Sequence, residues 1–112
     1  MQVNWKDEFS AAITVCDKNG IILEMNEKSA ASFEKEGGYQ LIGKNLCDCH
    51  SQDSVDKIKG LLLDKKSNAY TIEKNGKHKF IYQSPWFEKG ELKGLVEFSI
   101  EIPPKMPHFI RS

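Results

Sequence analysis

The stretch from Cys16 to Phe33 constrains the fold of this chain more than any other. A short apolar strand leads into the turn Asp17-Lys18-Asn19-Gly20, a second strand Ile21-Ile22-Leu23-Glu24-Met25 follows, and Asn26 heads a helical run. Aspartate at the first turn position accepts from backbone amides, and glycine at the last permits positive φ, so the segment reads as a hairpin. Asn26 is a good helix N-cap. Residues 12–17 and 21–25 are therefore the hairpin strands. A short helix over 26–34, carrying Ala30, Ala31 and Phe33, stops before Gly37-Gly38.

Downstream, Tyr39, Leu41, Ile42 and Leu46 form an apolar run interrupted by Gly43, and residues 39–49 read as one or two helical turns. The best helix follows, with Asp53 as N-cap, Asp56 three residues on, and Val55, Ile58, Leu61 and Leu62 on one face. Tyr70 and Ile72 then alternate with Thr71 and Glu73 ahead of Asn75-Gly76, the strongest two-residue hairpin signal in the chain. The strand returning over 77–87 contains Pro85, which donates nothing to a ladder and requires an unpaired or bulged side there. A third turn at 88–91 leads to the last strand. In it Val96, Phe98, Ile100 and Ile102 alternate with Glu97, Ser99 and Glu101, demanding one buried and one wetter face, with Leu95 the exception.

The order β-β-α-α-α-β-β-β, with hairpins at both ends and helices on the long connection, gives an α+β fold: one antiparallel sheet covered on one face by helices. The residues expected between sheet and helices are Val15, Leu23, Phe33, Ile58, Leu62, Ile72, Tyr82 and Phe98. A register error of one residue inverts the strand assignments in that set. Residues 1–11 are a flanking segment with helical spacing, 12–102 a single domain, and 103–112 a tail after Pro103-Pro104.

Charge removes several partners. The chain has 112 residues, and its 16 basic residues balance 16 acidic ones, so nothing attracts nucleic acid or an anionic membrane surface. No stretch approaches the roughly 20 apolar residues that span a bilayer, and the first nine residues lack a signal-peptide core. A cytoplasmic location is expected, and there the three cysteines would stay free thiols.

The chemically suggestive cluster is Cys47-Asp48-Cys49-His50, with Cys16, His78 and His108 as further ligands. A single residue between the cysteines does not suit a structural zinc site, and covalent haem attachment needs Cys-x-x-Cys-His. Non-covalent haem asks only for an aimed imidazole in an apolar cavity, and His50 sits just before the long helix. The alternatives are a small buried Cys49 with His50 bonding nearby backbone, or a thiol redox pair that Asp48 and the short spacing disfavour. Catalysis finds no support: there is no Gly-x-Ser-x-Gly elbow, no phosphate loop, and only sequential Cys-His neighbours. Trp5 and Phe9, spaced i, i+4, either pack on the domain's own sheet or form a homodimer contact. Tyr82, Trp86 and Phe87 either line a ligand cavity or close the core.

The runs Ile13-Thr14-Val15-Cys16-Asp17-Lys18-Asn19-Gly20-Ile21-Ile22-Leu23-Glu24-Met25-Asn26, Leu41-Ile42-Gly43-Lys44-Asn45-Leu46 and Gly94-Leu95-Val96-Glu97-Phe98-Ser99-Ile100-Glu101-Ile102 resemble PAS domains in order and spacing, over roughly residues 10–102. Leu46-Cys47-Asp48-Cys49-His50 also looks like a Cys-His element of some bacterial PAS subfamilies. The resemblance implies a five-stranded sheet of order 2-1-5-4-3 that encloses, with its helices, a small-molecule pocket or a packed core. It also implies a sensory or dimerising role whose change of state is read by a downstream signalling protein, either as a stand-alone module or as a piece of a longer chain. Candidate ligand contacts are Cys49, His50, Phe33, Ile58, Leu62, Tyr82 and Phe98, and candidate dimer contacts are Trp5 and Phe9. The ligand is unknown, with haem through His50 as a lesser alternative.

Overall fold

The computed structural model describes residues 3–46 and 51–112. Five strands, β1 (Ala12–Asp17), β2 (Ile22–Met25), β3 (Asn68–Lys74), β4 (Lys77–Glu88) and β5 (Glu91–Ile102), form one antiparallel sheet of order β2-β1-β5-β4-β3. Helix α1 (Glu27–Ser32), two short 3-10 turns (Glu34–Glu36 and Gly38–Leu41) and helix α2 (Gln52–Asp64) lie on the connection between β2 and β3.

Local chemistry sets the turns. The Asp17 carboxylate accepts from the amides of Asn19 and Ile21, both at 2.9 Å, while Gly20 takes φ +86° to close the hairpin. Asn75 and Gly76 both take positive φ, as a two-residue hairpin requires. Pro85 pairs with Leu95 of β5 but has no strand partner among the described residues on its other side, because β3 begins at Asn68, opposite Gln83.

Asn26 does more than cap. Its Oδ1 accepts from Ser29 N at 3.0 Å and from Ile13 N at 2.9 Å, and its Nδ2 donates to the carbonyls of Ala11 (2.7 Å) and Lys6 (2.9 Å). One buried amide thus ties the N-terminal segment, β1 and α1 together. The loop after Leu41 bonds back onto the start of β2, through Gly43 N to Ile22 O and Ile22 N to Lys44 O, and this delivers Leu46 into the core. The core is built from Cys16, Ile22, Met25, Leu41, Leu46, Ile58, Leu62 and Leu95.

Several expectations are corrected. Helix α2 is capped by Ser51, whose side chain accepts from Ser54 N, and Asp53 lies inside the first turn; the hydroxyl reaches the free amide two residues earlier than the carboxylate expected there. The N-terminal segment makes a single turn at residues 5–8 rather than a helix. Most consequentially, the strand parity is inverted on β1, β4 and β5, whereas Ile72 on β3 faces α2 as expected. Thr14 and Cys16, Ile81 and Gln83, and Leu95 and Glu97 line the cavities shared with the helices, so Val15, Tyr82 and Phe98 stand on the opposite face. Leu23 is largely exposed at the β2 edge.

Candidate functional site

Among the described residues, two of the spaces beside α2 lie against the sheet. The central one, lined by Thr14, Cys16, Phe33, Leu46, Ile58, Leu95 and Glu97, measures about 20 Å³, room for about one water molecule. The second is a cleft of about 440 Å³ between α2 and the inner face of β3–β5. Its walls are the side chains of Ile58, Ile72, Ile81 and Tyr70, and its floor is Gln83 and Glu97. Asp53, Ser54 and Lys57 form the rim on α2.

The floor is held by a directed chain of hydrogen bonds. Asn68 Nδ2 donates to Gln83 Oε1 at 3.2 Å, and Gln83 Nε2 donates to Glu97 Oε2 at 2.8 Å. Gln83 is only 5% exposed, and its amide is fixed in one orientation because rotating it would break both bonds. Antiparallel pairing makes this possible: Asn68 faces Gln83 and Gln83 faces Glu97 across three neighbouring strands. The Tyr70 hydroxyl is raised above its ordinary value, first by partial burial and then by the charge of Glu97.

Cys16 lies on the same face with no functional signature. Burial pushes its thiol up to about 11; the Leu95 backbone hydrogen bond opposes that rise, and the Asp17 and Glu97 charges add to it. The ordinary value is 9.0, so stability is untouched by this group below that pH and falls as pH rises from there toward 11, where only the unfolded chain gains the thiolate. Native Cys16 is expected to alkylate about 100-fold more slowly at pH 8 than in the denatured chain, since its thiolate is correspondingly rarer and shielded. Peptide-resolved mass spectrometry after timed iodoacetamide labelling checks this, and equal rates would contradict the burial.

The candidate residues separate clearly. Ile58 lines both spaces, Phe33 lines the central one, and Leu62 belongs to the core beside them. Tyr82 and Phe98 face away from both spaces, because they pair with each other on the outer face of β4 and β5. Cys49 and His50 lie outside the described residues, as do Cys47 and Asp48. The further ligands proposed with them are dispersed: Cys16 is in the core, His78 pairs with Glu73 at 3.1 Å on the β3–β4 hairpin, and His108 is in the exposed tail. Trp5 and Phe9 are exposed and meet edge to face at 5.7 Å between ring centroids. Sequence reasoning missed Gln83, Glu97 and Tyr70. The one signal for them was Leu95, the apolar residue out of step with its strand, which shares its parity with Glu97.

No protein-family model matches this sequence, and no curated protein matches it either. Solved structures do match in shape. The chain is 20% identical to the PAS domain of histidine kinase ThkA, covering 82% of this chain and 99% of that one with a TM-score of 0.66. It is 17% identical to a sensory box sensor histidine kinase from Vibrio cholerae, over 87% and 86% of the two chains, with a TM-score of 0.67. A C-terminal domain from Streptococcus mutans is 21% identical over 88% and 80%, with a TM-score of 0.70. No helix among the described residues is long and apolar enough to cross a membrane. In element order, strand order and helix placement, this chain is a PAS-fold domain.

Proposed function

We propose that this is a non-catalytic sensory domain. A small molecule seated between α2 and the sheet shifts the packing of that helix, and a signalling partner reads the shift. The observation that carries this reading is the cleft, whose apolar walls and pinned polar floor are the ordinary composition of a ligand site. Two of the matching folds belong to histidine kinases, which supports a role in signalling. Helix α2 packs on β4 and β5, so a ligand bound beneath it acts directly on the two central strands of that half of the sheet.

A second reading, an interaction module with a filled core, draws on the 20 Å³ central cavity. It also draws on the outer sheet face, where Phe80 and Tyr82 stack at 6.4 Å between ring centroids beside half-buried Phe98 and Ile100. That face, and separately the exposed Trp5 and Phe9, offer apolar surface to a second copy or another protein.

One experiment separates these readings. A small-molecule library screened by thermal unfolding should contain compounds that raise the Tm. At 100 times Kd the gain is about 2.7 kcal/mol, or very roughly 10 °C or more in a chain of this size. Ile72→Trp, which fills the cleft from its exposed wall, should abolish the rise without unfolding the chain. The purified protein should be colourless. A Soret band would overturn the account of the pocket, and a dimer mass with no stabilising compound would favour the interaction module.

A further inference from the structure

The floor of the cleft has a definite electrostatic sense. Glu97 is half-buried, and among the described residues Gln83 Nε2 is its hydrogen-bond donor. The ion pairs among the described residues are Lys6–Glu24, Lys77–Glu101, His78–Glu73 and Lys93–Glu91, and none of them involves Glu97. On the rim, Asp53 and Lys57 are opposite charges one helical turn apart on α2, which leaves the Glu97 carboxylate as the excess charge of the cleft. A carboxylate accepts at about four lone-pair positions, and Gln83 uses one of them. Asn68 holds the Gln83 Oε1, so the amide keeps its Nε2 edge turned to Glu97.

The open positions on the Glu97 carboxylate favour a ligand that brings donors. The partner that best matches one remaining carboxylate edge is a planar cation with two parallel N–H groups, or an ammonium, because such bonds are charge-assisted. An anionic head group would bring a like charge into a partly desolvated space and leave both charges without a partner. The walls set the rest of the molecule: Ile58, Ile72, Ile81 and the Tyr70 ring match an apolar body about the size of one aromatic ring.

We infer that the cleft between α2 and β3–β5 binds a small amine- or amidine-type cation with an aromatic or apolar body, its N–H groups on the Glu97 carboxylate. This inference rests on the reading of the cleft as a ligand site and adds the chemistry of the ligand.

The test uses three ring compounds that differ only in head group: benzamidine (cationic), benzamide (neutral) and benzoate (anionic). Each is titrated into the isotope-labelled chain while its amide correlation spectrum is followed. Benzamidine should move the amides of Tyr70, Ile81, Gln83 and Glu97 and half-saturate at a concentration at least about tenfold below benzamide, with benzoate silent there. In Glu97→Gln, of nearly the same shape, the preference for benzamidine over benzamide should vanish while the rest of the spectrum stays native. Benzamide or benzoate binding the same amides as tightly as benzamidine in the unaltered protein would overturn the inference. A cleft that ignores benzamidine but binds a library compound of another charge overturns the inference alone. A cleft that ignores every compound overturns the ligand-site reading as well.

Discussion

Gly94→Ala is expected to cost about 3 kcal/mol or more of folding stability, among the largest effects of any single methyl group added to this chain. The reason is a backbone approach. A Cβ at position 94 would lie 1.9 Å from the Cys16 carbonyl oxygen and 2.8 Å from Asp17 Cα, and neither atom is the free end of a side chain that can swing away. Gly94 pairs with Asp17 on one side and Trp86 on the other, and the Trp86 indole donates to the same Cys16 oxygen at 3.0 Å. Relief of the overlap must therefore part β1 from β5 or break the indole bond. Either movement disturbs Cys16 and Leu95, which close the central cavity. The control is Gly60→Ala within α2, where an added Cβ meets nothing within 4 Å. It should instead stabilise the helix, by about 0.5–1 kcal/mol. Urea unfolding of both variants checks the pair, and a Gly94→Ala midpoint within error of the unaltered protein would contradict the packing described.

Asn26→Asp is the second large effect, and it separates two accounts of one residue. If Asn26 served only as an N-cap, aspartate would replace it at no cost. In the structure the side-chain amide donates to the carbonyls of Lys6 and Ala11, so a carboxylate there would point an acceptor at two acceptors, in a site 3% exposed. The loss should be about 3–5 kcal/mol, from two missing donations and a buried charge that meets two carbonyl oxygens where the amide had donated. Asn26→Ala also removes the bonds to Ile13 N and Ser29 N and should destabilise comparably. Thermal unfolding of the aspartate variant decides the matter, and a Tm matching that of the parent would reduce Asn26 to a cap.

Much of the scaffold was legible because its signals are local. The Asp17–Gly20 turn, the Asn75-Gly76 hairpin, the helix opening at Asn26 and the interruption at Pro85 each depend on the conformational preferences of one or two residues, and the structure has each where expected. The facing of the sheet was not legible, because hydrophobic alternation identifies the more apolar face and cannot say which side the helices occupy. On β5 the apolar residues Val96, Phe98, Ile100 and Ile102 stand away from α2, while Glu97 faces it. A sheet with a polar-floored cleft inside and an apolar surface outside inverts the usual inference from period two. Tyr82 and Phe98 were misplaced for that reason, and Glu97 and Gln83 were overlooked for the same one. The bonds of Asn26 to Lys6 and Ala11 were invisible for a different reason: they span 20 and 15 residues of sequence and carry no local pattern.

The sensory account stands or falls on where a small molecule binds. The most direct measurement is a titration of the isotope-labelled chain with the best stabilising compound from a thermal screen, read at individual backbone amides. The account predicts shifts concentrated at Ile58 on α2, Tyr70 and Ile72 on β3, Ile81 and Gln83 on β4, and Glu97 on β5. They should saturate together and vanish in Ile72→Trp. Shifts confined to the outer face around Tyr82 and Phe98, or to Trp5 and Phe9, with the cleft amides unmoved, would contradict it.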